Sequence, residues 1–322
     1  MSKSGFIAYG YGNYGKYCSK YFHNTRADVI AFADNNPLLC GGKTPEGYRI
    51  IFPSEMITYG YDVLIKLCVR KNAGIIEKEL RAQGFRNIES VKIKLDANAA
   101  LKVRNLLADG LSRNVFDVCL DFVENGGNFG FADIYTPERY FPPDILRLDE
   151  NEVFVDGGGY DGTDTREFVK LRGGSYKHIY LFEPMSKMAS WCGQIFAGEK
   201  RISVIQAALG NECKISCFDS DDDRSKMDAL GTERVRVVKL DEMTLFPPTL
   251  IKLDIEGFEL DALNGMKELI AKHKPKLAVC LYHKPQDILE IPGWVSKNFP
   301  FYRFYMRKHQ AAEMDEMLLY CI

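Results

Sequence analysis

The stretch from Glu152 to Thr165, EVFVDGGGYDGTDT, constrains the fold more than any other part of this 322-residue chain. It opens with an apolar run that ends in a carboxylate, Asp156, the pattern of a buried parallel strand with an acid at its carboxyl end. A glycine-rich turn follows, and then a helical stretch from Thr163 to Leu171. One strand–helix unit later a second apolar strand, His178 to Phe182, ends in Glu183 within the run YLFEP. Open α/β sheets bind ligands beyond the carboxyl ends of their strands, at a topological switch point. A glycine loop and an acid after two successive strands therefore suit a ligand with an adenosyl ribose. That leaves NAD, FAD and S-adenosylmethionine (AdoMet) open. The bland alternative is a tight turn whose glycines only meet backbone dihedral demands.

Spacing separates these ligands. The dinucleotide fingerprint G-x-G-x-x-G brings a helix N-terminus up to a pyrophosphate. Here the order is Asp156-x-Gly158-x-x-x-Gly162, with the acid ahead of the loop. A carboxylate in that place would repel a pyrophosphate but can receive the ammonium or hydroxyl groups of a methionine-like tail. Thr163 and Thr165 offer hydroxyls, and the N–H groups of the helix start can bind a carboxylate.

A third segment, TLIKLDIEGFELDALNG at Thr249–Gly265, repeats the theme. Its apolar strand, Leu250 to Leu253, ends in Asp254 and Glu256, and the helix beyond carries Glu259 and Leu263. Four motifs now stand in order: Asp156/Gly158/Gly162, Phe182/Glu183/Pro184, Ala208/Leu209/Gly210, and Ile251/Lys252/Asp254/Glu256/Gly257/Glu259. With them the chain resembles the FkbM family of AdoMet-dependent methyltransferases, over about Pro137 to Ile322. The ending LYHKPQDILEIP at Leu281–Pro292, with an aromatic strand pair to Tyr320, is similar to members of that family. One departure is Gly159, where alanine is more usual. The resemblance implies a class I AdoMet-methyltransferase doubly wound sheet. It also implies AdoMet bound by Asp156, Gly158, Gly162, Thr163, Thr165, Glu183 and Ala208. The acceptor it favours is a hydroxyl on a sugar or small metabolite, such as a polysaccharide sugar or a secondary metabolite.

Methyl transfer from a sulfonium is an in-line displacement, so holding the acceptor against the methyl carbon is the first requirement. An alcohol must also lose its proton, which calls for a base near the end of the third motif strand. Asp254 is the prime candidate to line that pocket, Glu256 the second. His283 closes the apolar strand Lys276–Tyr282, expected to lie beside Leu250–Leu253 and to leave the imidazole exposed as a base; a satisfied structural histidine is the alternative. Asp156 and Glu183 read as ligands rather than catalysts, with Glu183 taking both ribose hydroxyls.

The length suggests two domains. Residues 1–95 read as a Rossmann-like unit, 96–138 as a helical linker and 139–322 as the methyltransferase domain. The first contains a true G-x-G-x-x-G (Gly10, Gly12, Gly15) between a strand, Gly5–Gly10, and a helix reaching His23. Asp34 follows at the end of the next strand, Asp28–Ala33. Tyr61–Leu67 and Ile88–Val91 read as further strands flanking a helix, Ala73–Gln83. The unit binds a second nucleotide, NAD or a nucleotide-linked sugar, or it survives as a docking module without ligand. Tyrosines within its loop could crowd a pyrophosphate. No Tyr-x-x-x-Lys pair supports hydride transfer, so an oxidoreductase or sugar-modifying enzyme is the minor branch, beside a non-catalytic binding protein.

Asp96 to Val123 reads as one helical stretch by its apolar periodicity, broken at Asn125-Gly126-Gly127-Asn128. A net charge of −2 argues against a nucleic-acid partner. Neither a membrane span nor a signal peptide is expected, which favours the cytoplasm; homo-oligomers stay open. The nine cysteines are odd in number and scattered, several within apolar runs, and read as reduced thiols. Cys213 and Cys217 lack companions for zinc, and Asp219–Asp223 reads first as a solvated charge run rather than a divalent-cation site, so no metal is expected.

Overall fold

A computed structural model describes residues 5–69, 72–125, 130–219, 226–227, 233–312 and 314–322. Of the acidic run at Asp219–Asp223, residues 220–223 lie outside these, as do Gly126–Asn128. The chain divides into two compact units, one of Met1–Leu95 with Leu120–Phe129 and the other of Asp96–Cys119 with Gly130–Ile322.

The first unit runs β1 (Phe6–Tyr9), α1 (Asn13–Asn24), β2 (Val29–Ala33), β3 (Ile50–Ile51), β4 (Leu64–Leu67), α2 (Ala73–Ala82) and β5 (Ile88–Ser90). Its strands form one parallel sheet in the order β3-β2-β1-β4-β5. All four residues of β1 are buried because apolar clusters cover both faces. Phe6 and Ala8 join Phe22 and Phe32 on one side, while Ile7 and Tyr9 join Ile65 and Leu80 on the other. Strand β4 begins at Leu64 rather than Tyr61, since Gly60 to Val63 closes a turn.

The helical stretch is two helices, not one: α3 (Ala97–Leu106) and α4 (Gly110–Asn125). Between them Leu107 bridges Phe304, Ala108 donates its N–H to the Phe304 carbonyl, and Asp109 caps the new helix by accepting the Ser112 N–H at 2.7 Å. This segment is therefore no free linker. Residues 96–119 and 130–138 belong to the second unit.

The second unit continues β6 (Val153–Gly157), α5 (Thr163–Leu171), β7 (His178–Phe182), α6 (Ser186–Ile195), β8 (Ile202–Ile205), β9 (Ala208–Leu209), β10 (Lys214–Asp219), β11 (Lys226–Met227) and β12 (Glu233–Val238). It then runs β13 (Leu250–Leu253), α7 (Glu259–Asn264), α8 (Lys267–His273), β14 (Lys276–Cys280), α9 (Asp287–Asn298), β15 (Phe304–Lys308) and β16 (Met317–Cys321). Seven strands build one sheet, β15-β16-β14-β13-β6-β7-β8, parallel except for β16, which runs against both neighbours. The chain enters at β6 and moves outward to β8, then returns to β13 on the other side of β6. That reversal is a topological switch point, flanked by the carboxyl ends of β6, β7 and β13. Strands β9 to β12, which lie between β8 and β13 in the chain, form a separate four-stranded sheet. Phe154, Phe168, Leu250, Ala278 and Tyr320 share one apolar core. Among the described residues no helix is long and apolar enough to cross a membrane.

Candidate functional site

Lys252, in β13 and 1 % exposed, organises the glycine loop from below. Its Nζ donates to Asp156 Oδ1 at 2.8 Å and to the Gly158 carbonyl at 2.8 Å, and pairs with Asp164 Oδ2 at 2.9 Å. Burial works against the ammonium, but Asp156, Asp164 and Asp254 raise it well above its ordinary value. Burial likewise raises the Asp156 carboxyl, which Lys252 only partly offsets. The other Asp156 oxygen accepts the Thr165 hydroxyl at 2.7 Å, and both side chains are fully buried. Asp156 and Thr165 are thus engaged inside the protein, where the sequence suggested groups turned to a ligand. The cause is that β6 is covered on both faces, so its last carboxylate has an internal cation to meet. Thr163, by contrast, accepts Arg166 Nη2 near the surface, and its N–H goes to Asp161.

The loop touches the end of β13 directly. Gly158 has φ +80°, and a Cβ there would lie 1.9 Å from the Asp254 carbonyl oxygen, so this residue serves both a left-handed turn and a close backbone approach. At Gly159 a Cβ would fall 2.4 Å from Leu181. Gly162 precedes α5 at its amino end. Glu183, one residue past β7, locks the other side of the loop, Oε2 accepting Tyr160 N–H at 2.9 Å and Oε1 accepting Met185 N–H at 2.8 Å. Burial raises its carboxyl to about 7 against the pull of those two N–H groups and Lys252. Ala208 lies buried in β9, paired with Val237 and packed beside Met185.

The ends of β13 and β14 carry the second half of the site. Asp254 Oδ2 accepts the Tyr140 hydroxyl at 2.6 Å and Oδ1 the Tyr282 hydroxyl at 3.0 Å. Burial would raise this carboxyl, but His283, Lys252 and the two phenols hold it below the ordinary range. Glu256 occupies a left-handed position, φ +56°, just beyond the strand. His283 is not exposed as the sequence suggested. Strand β14 stops at Cys280, the chain turns inward, and the imidazole is 6 % exposed. Its Nδ1 meets Glu259 Oε1 at 2.8 Å, while Nε2 faces Asp254 Oδ1 at 3.3 Å and Glu256 Oε2 at 3.9 Å. Burial lowers the imidazole, yet these three carboxylates together raise it to about 9. Glu259 was legible only as part of a motif. It is fully buried at the start of α7, accepts the Ile255 N–H at 2.9 Å, and belongs to a group with Asp254 and His283 whose ligand-type atoms lie within 4.8 Å of one another. The signal that could have found it is the acid triplet Asp254, Glu256, Glu259 with a histidine at the end of the next strand.

In the first unit Gly10 has φ +96°, and a Cβ at Gly15 would lie 2.1 Å from the Gly10 carbonyl oxygen, so α1 packs directly on the loop. Gly12 caps α1. Asp34 reaches back to this loop, accepting the Tyr11 N–H at 2.5 Å and the Asn36 N–H at 2.8 Å. Tyr11 points into the core against Phe32 rather than across the loop. A cavity of about 250 Å³ in this unit lies elsewhere, lined by Phe6, Tyr21, Lys66 and Glu89.

A seven-stranded sheet of this order, with a glycine loop after β6 and acids at the ends of β6, β7 and β13, defines a class I methyltransferase fold. Residues 156–320 match the Methyltransferase FkbM domain. The chain belongs to that family and is a methyltransferase. It is similar in fold to the crystal structure of methyltransferase FkbM from Methylobacillus flagellatus KT. The two share 21 % identity and a TM-score of 0.62, over 100 % of this chain and 90 % of that one. Fainter likenesses include an rRNA methylase from Streptococcus thermophilus, at 12 % identity and TM-score 0.36 over 67 % of this chain and 97 % of that one. Another is Aeropyrum pernix fibrillarin with bound S-adenosyl-L-methionine, at 9 % identity and TM-score 0.38 over 55 % and 70 %. At those scores neither adds to the assignment. No curated protein matches the sequence.

Proposed function

We propose that the methyltransferase uses AdoMet and methylates a hydroxyl of a sugar or small metabolite. The observation that carries the cofactor is Glu183. Each of its oxygens accepts a single backbone N–H, which leaves each a further lone pair, at the strand end beside the glycine loop. A ribose diol is the matching donor. Gly158, Gly162 and Thr163 would border the rest of the cofactor, with Ala208 on the far side. Asp156 and Thr165 would act through the loop they fix. AdoMet, when bound, supplies an electrophilic methyl group on a sulfonium. The chain's own task is then to hold the acceptor oxygen and take up its proton. Asp254 and Glu256 are the carboxylates at the adjoining strand ends that can receive it, and His283, protonated near neutral pH, positions them.

Glu183→Ala is expected to weaken AdoMet binding at least tenfold with the fold intact by circular dichroism. That loss is about 1.4 kcal/mol, within reach of one charge-assisted pair. Calorimetry giving wild-type affinity would remove Glu183 from the cofactor site. Asp254→Asn and His283→Ala are each expected to reduce turnover by about 10²-fold or more while AdoMet affinity stays near wild type. Wild-type turnover in both would refute the proton-accepting role. Loss of AdoMet affinity in Asp254→Asn would make that residue a cofactor ligand instead.

A further inference from the structure

Three carboxylates, from Asp254, Glu256 and Glu259, converge on the imidazole of His283. Glu259 takes Nδ1 at 2.8 Å, a normal hydrogen bond that fixes the ring. The opposite nitrogen is different. His283 Nε2 is buried and has no hydrogen-bond partner among the described residues, although it points at Asp254 Oδ1, 3.3 Å away, and Glu256 Oε2, 3.9 Å away. These gaps exceed the usual N–H···O range. Buried polar atoms are seldom left without a partner, and an exception points to something missing from the site. The Asp254 and Glu256 side chains retain 20 % and 25 % exposure, so the cluster opens to solvent on their side.

We propose that Asp254, Glu256 and His283 Nε2 form a divalent-cation site, with Glu259 as the residue that orients the imidazole. A metal-bound histidine ordinarily gives its other ring nitrogen to a carboxylate, as His283 does to Glu259. Two donors each about 2.1 Å from one tetrahedral ion stand roughly 3.3–3.4 Å apart, which matches the 3.3 Å from Nε2 to Asp254 Oδ1. Glu256, on a turn at the site's open side, stands 3.9 Å from Nε2 and would move inward to join the ion. One imidazole and two carboxylates suit Mn²⁺ or Zn²⁺ and leave coordination positions for water or an alcohol oxygen. Lys252 makes its contacts with Asp156, Asp164 and the Gly158 carbonyl rather than with the cluster, although its charge also favours the Asp254 carboxylate. As the holder of an acceptor oxygen, the cation rests on the methyl-transfer reading above. As a bound ion, it does not.

The test is titration of chelator-treated full-length protein with Mn²⁺ followed by electron paramagnetic resonance, and with Zn²⁺ by calorimetry. One equivalent should bind. His283→Ala should lose at least 100-fold in affinity, and Glu259→Gln should lose about 10–100-fold, the usual effect of removing an orienting partner. Glu256→Gln, at a partly exposed position, keeps the test decisive should the His283 variant fail to fold. It too should weaken binding by at least tenfold. Absence of saturable Mn²⁺ and Zn²⁺ binding, or binding unchanged in the folded His283 and Glu256 variants, overturns the site. AdoMet titration of the same metal-free protein separates the two ideas. AdoMet binding without metal binding removes only the cation, and metal binding without AdoMet binding removes only the cofactor.

Discussion

Burial raises the carboxyl of Glu183 to about 7, and the N–H groups of Met185 and Tyr160 together with Lys252 keep it from rising further. Asp156 pushes in the opposite direction, and the buried Cys192 thiol lies close enough to feel the same charge. Only the ionised form of Glu183 can accept from both ribose hydroxyls without holding a proton of its own. In the proposed complex the hydroxyls favour that form, so binding expels a proton wherever the free carboxyl still carries one. The sign is therefore fixed: AdoMet affinity should rise as pH climbs through 7, and fall by up to about tenfold per unit below it. Calorimetry from pH 6 to pH 8, in buffers of different ionisation enthalpy, measures both the affinity and the released proton. Glu183→Gln should bind weakly and lose this dependence. A wild-type profile that is flat, or that persists unchanged in Glu183→Gln, would place the titrating group elsewhere, the cofactor's own amine included. Residues of this kind also mark the limit of what a sequence discloses. Glu183 was visible because an acid interrupts an apolar run, but nothing in the run says that Asp156 turns inward to Lys252. Nor does LYHKP say that His283 folds under Glu259.

At the scale of elements, β7, β13 and α5 were legible to the residue, and β6 nearly so. Each apolar run is bounded by an acid or a glycine turn, and strands buried on both faces need no alternation to be recognised. The break between α3 and α4 was not legible, because apolar spacing continues across it. The Asp109–Gly110 pair was the available signal, and only the Phe304 backbone on the last strands explains why the chain turns there. The loop after β6 offers a sharper test of how elements fit. Leu181 of β7 fills the space where an alanine Cβ at position 159 would sit, 2.4 Å from its side chain. Gly159→Ala should therefore destabilise this protein by about 1–3 kcal/mol, the cost of overpacking. Leu181→Val should recover part of that loss, and a double-mutant cycle in urea should give a coupling of at least about 0.5 kcal/mol. Strict additivity would show that the loop relaxes away from β7 instead.

For the whole molecule the question is where the methyltransferase unit begins. The family match covers residues 156–320, yet the second unit also takes in Asp96–Cys119 and Gly130 onward. Arg307, on β15 and 2 % exposed, shows why the extra length matters. Its guanidinium donates to Asp109 Oδ2 at 2.8 Å, Ser112 Oγ at 2.9 Å and Asp144 Oδ2 at 2.6 Å. Ser112 Oγ also accepts the Met306 N–H at 2.9 Å, and α3 packs against α9. A chain starting at Arg139 keeps Asp144 but strips two of the partners from a buried cation, at a cost of about 1–3 kcal/mol. It also uncovers the apolar surface under Val103, Leu107, Val115 and Phe116. A chain starting at Asp96 loses none of these contacts. The longer truncation should thus fold and bind AdoMet with near full-length affinity, and the shorter one should melt at least roughly 5–10 °C lower. Differential scanning calorimetry with and without AdoMet reads both quantities on each protein. Equal melting temperatures would show that α3 and the start of α4 contribute nothing to the unit's stability. A folded Asp96 chain that ignores AdoMet, beside a full-length protein that binds it, would mean the cofactor site needs the first ninety-five residues, contrary to what the division of the chain implies.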